Sequence, residues 1–353
     1  MPSSAPSYEA KGIAAAQLAD QFGVHVRTGG PNAGHTAYID GKKFVGRSIP
    51  MGFANLNAEL VIGPGAVIDL DVLSVELNDL EAAGFGVKDR LWIDYKAGII
   101  TSAQHHGEGG VHGYAHQSIG STGEGVGLAR IAKISRNSIL DPTNELYKFE
   151  EAQFSEKLVA LGLKPCLADT VEAINDWLDS DDNVLLEGTQ GSGLSLTHGP
   201  QWPYCTSSDT NAAQLASDAG VSPSLIKETI LVARTFPIRV AGNSGPLPNE
   251  TTWEALGQAE ERTTVTQKVR RVAEWDSKVV RKAVLLNRPA KLVLTFMNYL
   301  YPDLPPAEDW AAVEDGIEMQ FIRQVEEETG GDVVAVSYDP YKMIVKPGEL
   351  EYV

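Results

Sequence analysis

Residues 171–188, VEAINDWLDSDDNVLLEG, decide the fold class. VEAINDWLDS at 171–180 reads as a helix, and NVLLEG at 183–188 as a short apolar strand running into a glycine loop. The same alternation extends in both directions. ELVIG at 59–63 and LWID at 91–94 read as strands, with an amphipathic helix over 69–84 between them that ends at Gly84. SPSLIKETILVARTF at 222–236 reads as a helix with a serine cap, and WDSKVVRKAVLLN at 275–287 as another. KLVLTFM at 291–297 is a buried strand, 314–329 an acidic helix, and DVVAVS at 332–337 the next strand. Continuous apolar strands between helices predict an α/β fold, a central mainly parallel β-sheet covered on both faces. No repeat, low-complexity tract or linker divides residues 1–353, so one domain is expected; YPDLPPAEDW at 301–310 reads as a surface loop.

Composition narrows the function classes. Lys and Arg number 29 against 47 Asp and Glu, a formal charge of −18, which argues against a chain that wraps nucleic acid. Hydrophobic residues at 43 % and charged residues at 22 % are globular values and exclude wholesale disorder. No apolar run is long enough to span a membrane, and the start MPSSAPSYEAKG lacks the basic and apolar regions of a secretory signal. Two cysteines, Cys166 and Cys205, make no disulfide framework, so a reducing cytosol is the expected compartment.

Five segments carry polar chemistry. TGGPNAGHT, Thr28 to Thr36, sets Asn32, His35 and Thr36 among glycines that let backbone amides approach an anion. An ordinary turn would need fewer polar groups. EAKG, Glu9 to Gly12, places a lysine and a glycine at a helix start, where free amides favour phosphate, although a plain helix start reads the same way. GSTGEGVG, Gly120 to Gly127, resembles an anion cradle only if Glu124 points away; otherwise it is a surface loop. EGTQGSGLSLTHGPQWPYCTSSDT, Glu187 to Thr210, follows a strand end, where ligands sit in open α/β sheets. TTVTQKVRR, Thr263 to Arg271, is a cationic loop in an acidic chain, suited to a small dicarboxylate or simply a solvated patch. HHGEGGVHGYAH, 105–116, offers His112 and His116 at a zinc-like spacing, but Gly107, Gly109, Gly110 and Gly113 argue against a stable helix and for a polar loop.

In order along the chain, EAKG, TGGPNAGHT, GSTGEGVG, EGTQG, HGPQWPYCTSSDT, Arg239-Val240, TTVTQKVRR and Thr295-Phe296-Met297-Asn298 resemble the loops of adenylosuccinate synthetases. The resemblance covers residues 7 to 298 and implies a single α/β unit that usually forms homodimers. The reaction it implies starts with removal of a purine ring proton. A nucleotide γ-phosphoryl then passes to the carbonyl oxygen at carbon six with Mg²⁺, and the aspartate amine displaces phosphate. Such chemistry rests on positioning and charge stabilisation.

By this resemblance His35 is the acid that steadies the transferred phosphoryl, and the Gly34 carbonyl binds Mg²⁺, with Ser7 a second candidate. Ser7, Tyr8, Lys11 and His35 form the catalytic set. Asn32, Ala33, Ser121, Thr122, Gln190, Thr206, Arg239 and Val240 hold the nucleoside monophosphate, and Arg136 matches an arginine that reaches its phosphate across the dimer. Thr266, Lys268 and Arg270 clamp aspartate. Glu9, Ala10, Lys11, Gly12, Gly34, His35, Thr36, Asn298, Ser337 and Pro340 hold the donor nucleotide.

Four departures from the family pattern bear on substrate. Tyr8, or Ser7 if the loop slips by one, stands where the family has its general-base aspartate. Asn298 stands where the family reads guanine with a carboxylate, so adenine becomes compatible and ATP or dATP is the expected donor. Lys268 stands for an arginine near the ribose. The strand that precedes the EAKG loop in the family is missing, because residues 1–6 cannot form it. Together these resemble the phage-type 2-amino-2′-deoxyadenylosuccinate synthetase (PurZ) branch, whose substrate is dGMP and whose product serves DNA containing 2-aminoadenine. On that reading the enzyme works in the cytoplasm, the host's if phage-encoded. A conventional enzyme using IMP and GTP, and a non-catalytic nucleotide-binding relative, are the alternatives.

Overall fold

The computed structural model describes residues 10–109, 113, 119–136, 156–163, 167–263, 267–288 and 290–352. Five strands form a wholly parallel sheet in the order Leu167–Ala168, Leu91–Asp94, Glu59–Ile62, Val24–Arg27, Val184–Glu187. A second sheet runs Thr229–Arg234, Ala290–Thr295, Asp332–Ser337, Met343–Val345, with only the last strand antiparallel. A smaller antiparallel sheet joins Ile238–Arg239, Arg271–Ala273 and Glu250–Thr251.

Each element follows from local chemistry. The helix Leu70–Ala82 starts where the Asp69 side chain accepts from the backbone N–H groups of Asp71 and Val72, a cap worth about 1 kcal/mol. It buries Leu70, Leu73, Leu77 and Leu80 on one face. Each such leucine removed from water contributes roughly 1.5–3 kcal/mol. The chain leaves this helix through Gly84, at φ +89°. The core is not confined to one sheet: Leu185 packs against both the interior around Leu60 and Leu77 and the interior around Val293 and Val334.

The structure departs from the sequence expectations in three places. Residues 222–236 are not a helix: Pro223–Leu225 form one 3₁₀ turn and Thr229–Arg234 a strand paired in parallel with Ala290–Thr295. Short aliphatic runs fit either period, and here a strand partner decided. Val24–Arg27, an unexpected strand, is buried along its whole length and lies between Glu59–Ile62 and Val184–Glu187. Ser102–Gly109 is a helix despite its glycines, because Glu108 is anchored from it: its carboxylate accepts from the Ser121 hydroxyl at 2.7 Å and the Gly127 N–H at 2.9 Å. His112 and His116 lie outside the described residues, as do residues 1–9, on which the expectation about the strand before EAKG falls.

Candidate active site

The first glycine loop leaves the C-terminal end of the strand Val24–Arg27 and enters the strand His35–Ile39. The fourth leaves the C-terminal end of Val184–Glu187, the neighbouring strand. Gly29 lies so near Thr189 that a Cβ there would stand 2.2 Å from its Cγ2, and one on Gly12 would stand 2.5 Å from the Thr36 carbonyl oxygen. Glycine at these two positions lets the backbones approach. The third loop joins the same cluster through Arg47, whose Nε donates to the Pro31 carbonyl at 2.6 Å and whose Nη2 meets Glu124 at 2.7 Å. Glu124 is thereby turned toward a cation.

His35 is 2 % exposed. Its Nδ1 lies 2.5 Å from Glu187 Oε1, and Arg27 Nη1 is 2.5 Å from the same oxygen. Arg27 Nη2 donates to the Ala33 carbonyl at 2.7 Å, and Glu187 Oε2 accepts from the Met51 N–H at 2.7 Å. Burial, then the Arg27 charge, pushes the His35 imidazolium down to about 4, so the ring is neutral at pH 7. For Glu187 burial works upward, but Arg27, the His35 hydrogen bond and the Met51 amide outweigh it and hold the carboxyl at about 2. His35 Nε2 and Thr36 Oγ1 are buried with no hydrogen-bond partner among the described residues. Lys11 adds a positive charge that His35 senses. Arg27 and Glu187 escaped the sequence reading; the only signal was a charged residue at the end of each buried strand.

The other expected residues fall into groups. Asn32 and Ala33 lie in the first loop, and Thr122 in the third. Gln190 takes a left-handed φ of +62° just past the fourth strand end. The Thr206 N–H donates to the Leu194 carbonyl, which folds 194–206 back on itself. Arg239 Nη2 donates to the Tyr204 carbonyl at 2.7 Å, joining Arg239-Val240 to that loop. The Ser121 hydroxyl is given to Glu108, and Arg136 caps the helix Val126–Ser135 at φ +53°. Lys268 is exposed on a turn closed by Thr263, and Arg270 donates its N–H to the Glu261 carbonyl. Ser7, Tyr8, Glu9 and Thr266 lie outside the described residues, and of Ala10 only its place at the helix start is described.

The donor group sits on the second sheet. Asn298 follows the end of Ala290–Thr295, and Ser337 ends the adjacent strand, paired in register with Thr295. Asn298 Oδ1 is buried without a partner among the described residues. The Ser337 hydroxyl donates to the Asp339 carbonyl at 2.6 Å, next to Pro340. The helix Ala10–Gln17 connects this region to the glycine loops: Gln17 donates to the Tyr341 carbonyl and accepts from the Met343 N–H, both at 2.7 Å.

Comparison with known proteins agrees with this geometry. The sequence profile of the Adenylosuccinate synthetase family matches residues 8–161 and 140–303. The chain belongs to the adenylosuccinate synthetase family. It is 37 % identical over 314 residues to the adenylosuccinate synthetase of Methanococcus maripaludis, covering 88 % of this chain and 86 % of that one. With the enzyme of Pyrococcus horikoshii it shares 36 % identity over 338 residues, 94 % of this chain and 93 % of the relative. Among solved structures it is similar to the cyanophage S-2L succinoaminodeoxyadenylate synthetase (PurZ) bound to dGMP and dATP, with TM-score 0.75 and 28 % identity, covering 97 % of this chain and 93 % of that one. The fully ligated adenylosuccinate synthetase of Plasmodium falciparum shares the fold at TM-score 0.78 and 21 % identity, over 97 % and 98 % of the two chains. The chain is therefore a carbon–nitrogen ligase that joins aspartate to a purine nucleotide. Among the described residues no helix is long and apolar enough to cross a membrane.

Proposed function

We propose that this member of the family joins L-aspartate to carbon six of dGMP, with ATP or dATP as phosphoryl donor, giving 2-amino-2′-deoxyadenylosuccinate. The observation that carries the reading is Asn298, whose buried Oδ1 has no partner among the described residues. An unpaired buried acceptor costs about 1–3 kcal/mol, which a ligand donor relieves. An adenine amine supplies that donor while the Asn298 amide N–H can serve a ring nitrogen; guanine favours a carboxylate there. The similar cyanophage enzyme, bound to dGMP and dATP, points the same way.

The chain's residues then divide the work. Lys11 and the amides of the helix start hold donor phosphates. Asn32, Ala33, Thr122, Gln190, Thr206, Arg239 and Val240 hold the monophosphate, and Arg270, with Lys268 and Thr266, holds aspartate. His35 offers Nε2 toward the transferred phosphoryl. The Gly34 carbonyl and the orphaned Thr36 hydroxyl are hard oxygen donors, which suit Mg²⁺ in a site where nucleotide phosphates supply most ligands. Bound there, the metal would neutralise phosphate charge. No cluster of three His, Cys, Asp or Glu side chains that could hold a metal stands among the described residues, at this site or any other.

A homodimer belongs to this reading. The helix that ends at Arg136 exposes Ile131 by 55 % and Ile134 by 77 %, an apolar face beside the arginine assigned to the partner's substrate. The expected compartment is the cytoplasm, the host's if the gene is carried by a phage.

The second reading, a conventional enzyme using IMP and GTP, is favoured by the names of its archaeal relatives. Steady-state assays of dGMP with ATP against IMP with GTP, each with aspartate and Mg²⁺, decide between them. The proposal requires the higher kcat/KM for dGMP with ATP, and the reverse order overturns it.

A further inference from the structure

Arg27 and Glu187 are register partners at the C-terminal ends of two adjacent parallel strands. They are therefore fixed side by side by the sheet itself. Both are almost wholly buried, with side-chain exposures of 1 % and 3 %. A buried carboxylate needs every lone pair occupied, and Glu187 has three partners: Arg27, His35 and the Met51 N–H. Arg27 also ties the cluster to the first glycine loop through the Ala33 carbonyl, two residues before His35.

The proton on Nδ1 follows from this arrangement. A bare Nδ1 lone pair facing an ionised carboxylate at 2.5 Å would be repelled, so Nδ1 carries the hydrogen and donates it to Glu187. The 3.0 Å approach of Arg27 Nη1 to Nδ1 is then a contact imposed by the shared carboxylate. Nε2, buried and without a partner among the described residues, is the nitrogen left for a ligand; it serves as an acid toward a phosphoryl oxygen once it too carries a proton, a state that the Glu187 carboxylate at Nδ1 stabilises.

We infer that Glu187 is a positioning residue of the reaction: held by Arg27 and the Met51 amide, it grips His35 through Nδ1 and so presents Nε2 to the reacting phosphoryl group. The inference rests on the role given to His35 above. It adds that the strand-end carboxylate acts through the histidine and touches no substrate itself. Template sites in which a carboxylate orients a histidine lose activity when the carboxylate is neutralised, because the ring adopts the wrong tautomer.

The test is a double-mutant cycle with Glu187→Gln and His35→Ala, read by steady-state kinetics of the purified enzyme. Glu187→Gln alone should lower kcat at least roughly tenfold, and by no more than His35→Ala, within the range of about 10²- to 10⁴-fold that a general acid supplies. The KM values for both nucleotides and for aspartate should stay within about twofold of wild type, since Glu187 is not offered to them. In the His35→Ala background Glu187→Gln should cause no further loss, whereas a purely structural role would lower activity again. Such an additional loss overturns the inference while leaving the role of His35 intact. Full activity of His35→Ala overturns that role itself. Should Glu187→Gln fail to fold, ¹⁵N NMR of His35 in the wild-type enzyme still decides. Hydrogen on Nδ1 at neutral pH is expected, and a ring carrying its hydrogen on Nε2 alone refutes the inference.

Discussion

Arg47 Nη2 lies 2.7 Å from Glu124 Oε2, so the one carboxylate in the third glycine loop is paired with a cation that also grips the first loop through the Pro31 carbonyl. Each side chain is only about a fifth exposed, at 21 % and 18 %. An anion cradle containing a free glutamate would repel the phosphate it is meant to receive. Arg47→Ala should therefore raise the KM for the purine monophosphate, by roughly tenfold for the loss of one partly screened charge interaction of about 1.4 kcal/mol. Adding Glu124→Gln to Arg47→Ala should recover most of that loss. Steady-state kinetics of the two variants check it, and no recovery would mean that Arg47 acts only as a brace between loops.

His35→Ala should lower kcat by about 10²- to 10⁴-fold. Besides facing the site, the His35 ring is buried and bonded to Glu187. A stability loss on the order of 1–3 kcal/mol should accompany the loss of rate, because Glu187 keeps only two of its three partners. Denaturant titration beside the kinetics separates the two effects.

Stability should fall as the solution is acidified. His35 binds its proton near pH 4 in the folded chain and near 6.5 when unfolded, and burial also lowers His25. Between pH 6.5 and 4 the unfolded chain takes up the proton that folded His35 refuses, so this histidine costs up to about 1.4 kcal/mol per pH unit there, and His25 acts in the same direction. Glu187, held at about 2, acts in the next window: its contribution is complete above its ordinary value of 4.5 and is lost as pH falls toward 2. Urea midpoints measured from pH 7 to pH 4 should decline monotonically. A flat profile would show that the histidines are not kept neutral by the fold.

Asn298→Asp should move donor preference toward GTP. The carboxylate would accept from the guanine ring N–H and amine, and it would lose the N–H that an adenine ring nitrogen needs. Competition between ATP and GTP in the forward assay measures the shift. Unchanged preference would place the donor base elsewhere.

Arg270→Ala should raise the KM for aspartate by at least roughly tenfold while changing the KM for either nucleotide little, as expected on losing one charge-assisted contact of about 1.5–3 kcal/mol. Equal effects on all three substrates would assign Arg270 to the integrity of its turn.

Legibility differed between elements for identifiable reasons. The helix Leu70–Ala82 was readable because its leucines repeat with the helical period behind the Asp69 cap, and the strand Ala290–Thr295 because Leu292, Val293 and Leu294 make a short continuous apolar run. Val24–Arg27 was not, because its four residues include His25 and Arg27, and polar side chains mask a strand buried on both faces. Thr229–Arg234 was misread because its aliphatic run continues a segment that begins like a capped helix. In the site, the glycine loops were visible as composition. Glu108 was passed over inside a histidine-rich stretch, although it ties Ser121 and Gly127 to the helix Ser102–Gly109.

The linear chain by itself determined the kinds of element, their order and the set of glycine loops, and with them the family, since periodicity and loop composition are local properties. Tertiary structure alone decided which buried charges meet. Arg27 and Glu187 lie far apart along the chain, and neither carries any local sign of the other. They become neighbours only because two parallel strands align Val24 with Val184 and therefore Arg27 with Glu187. Strand register is settled by the packing of whole faces, and it is that packing which delivers a carboxylate to His35.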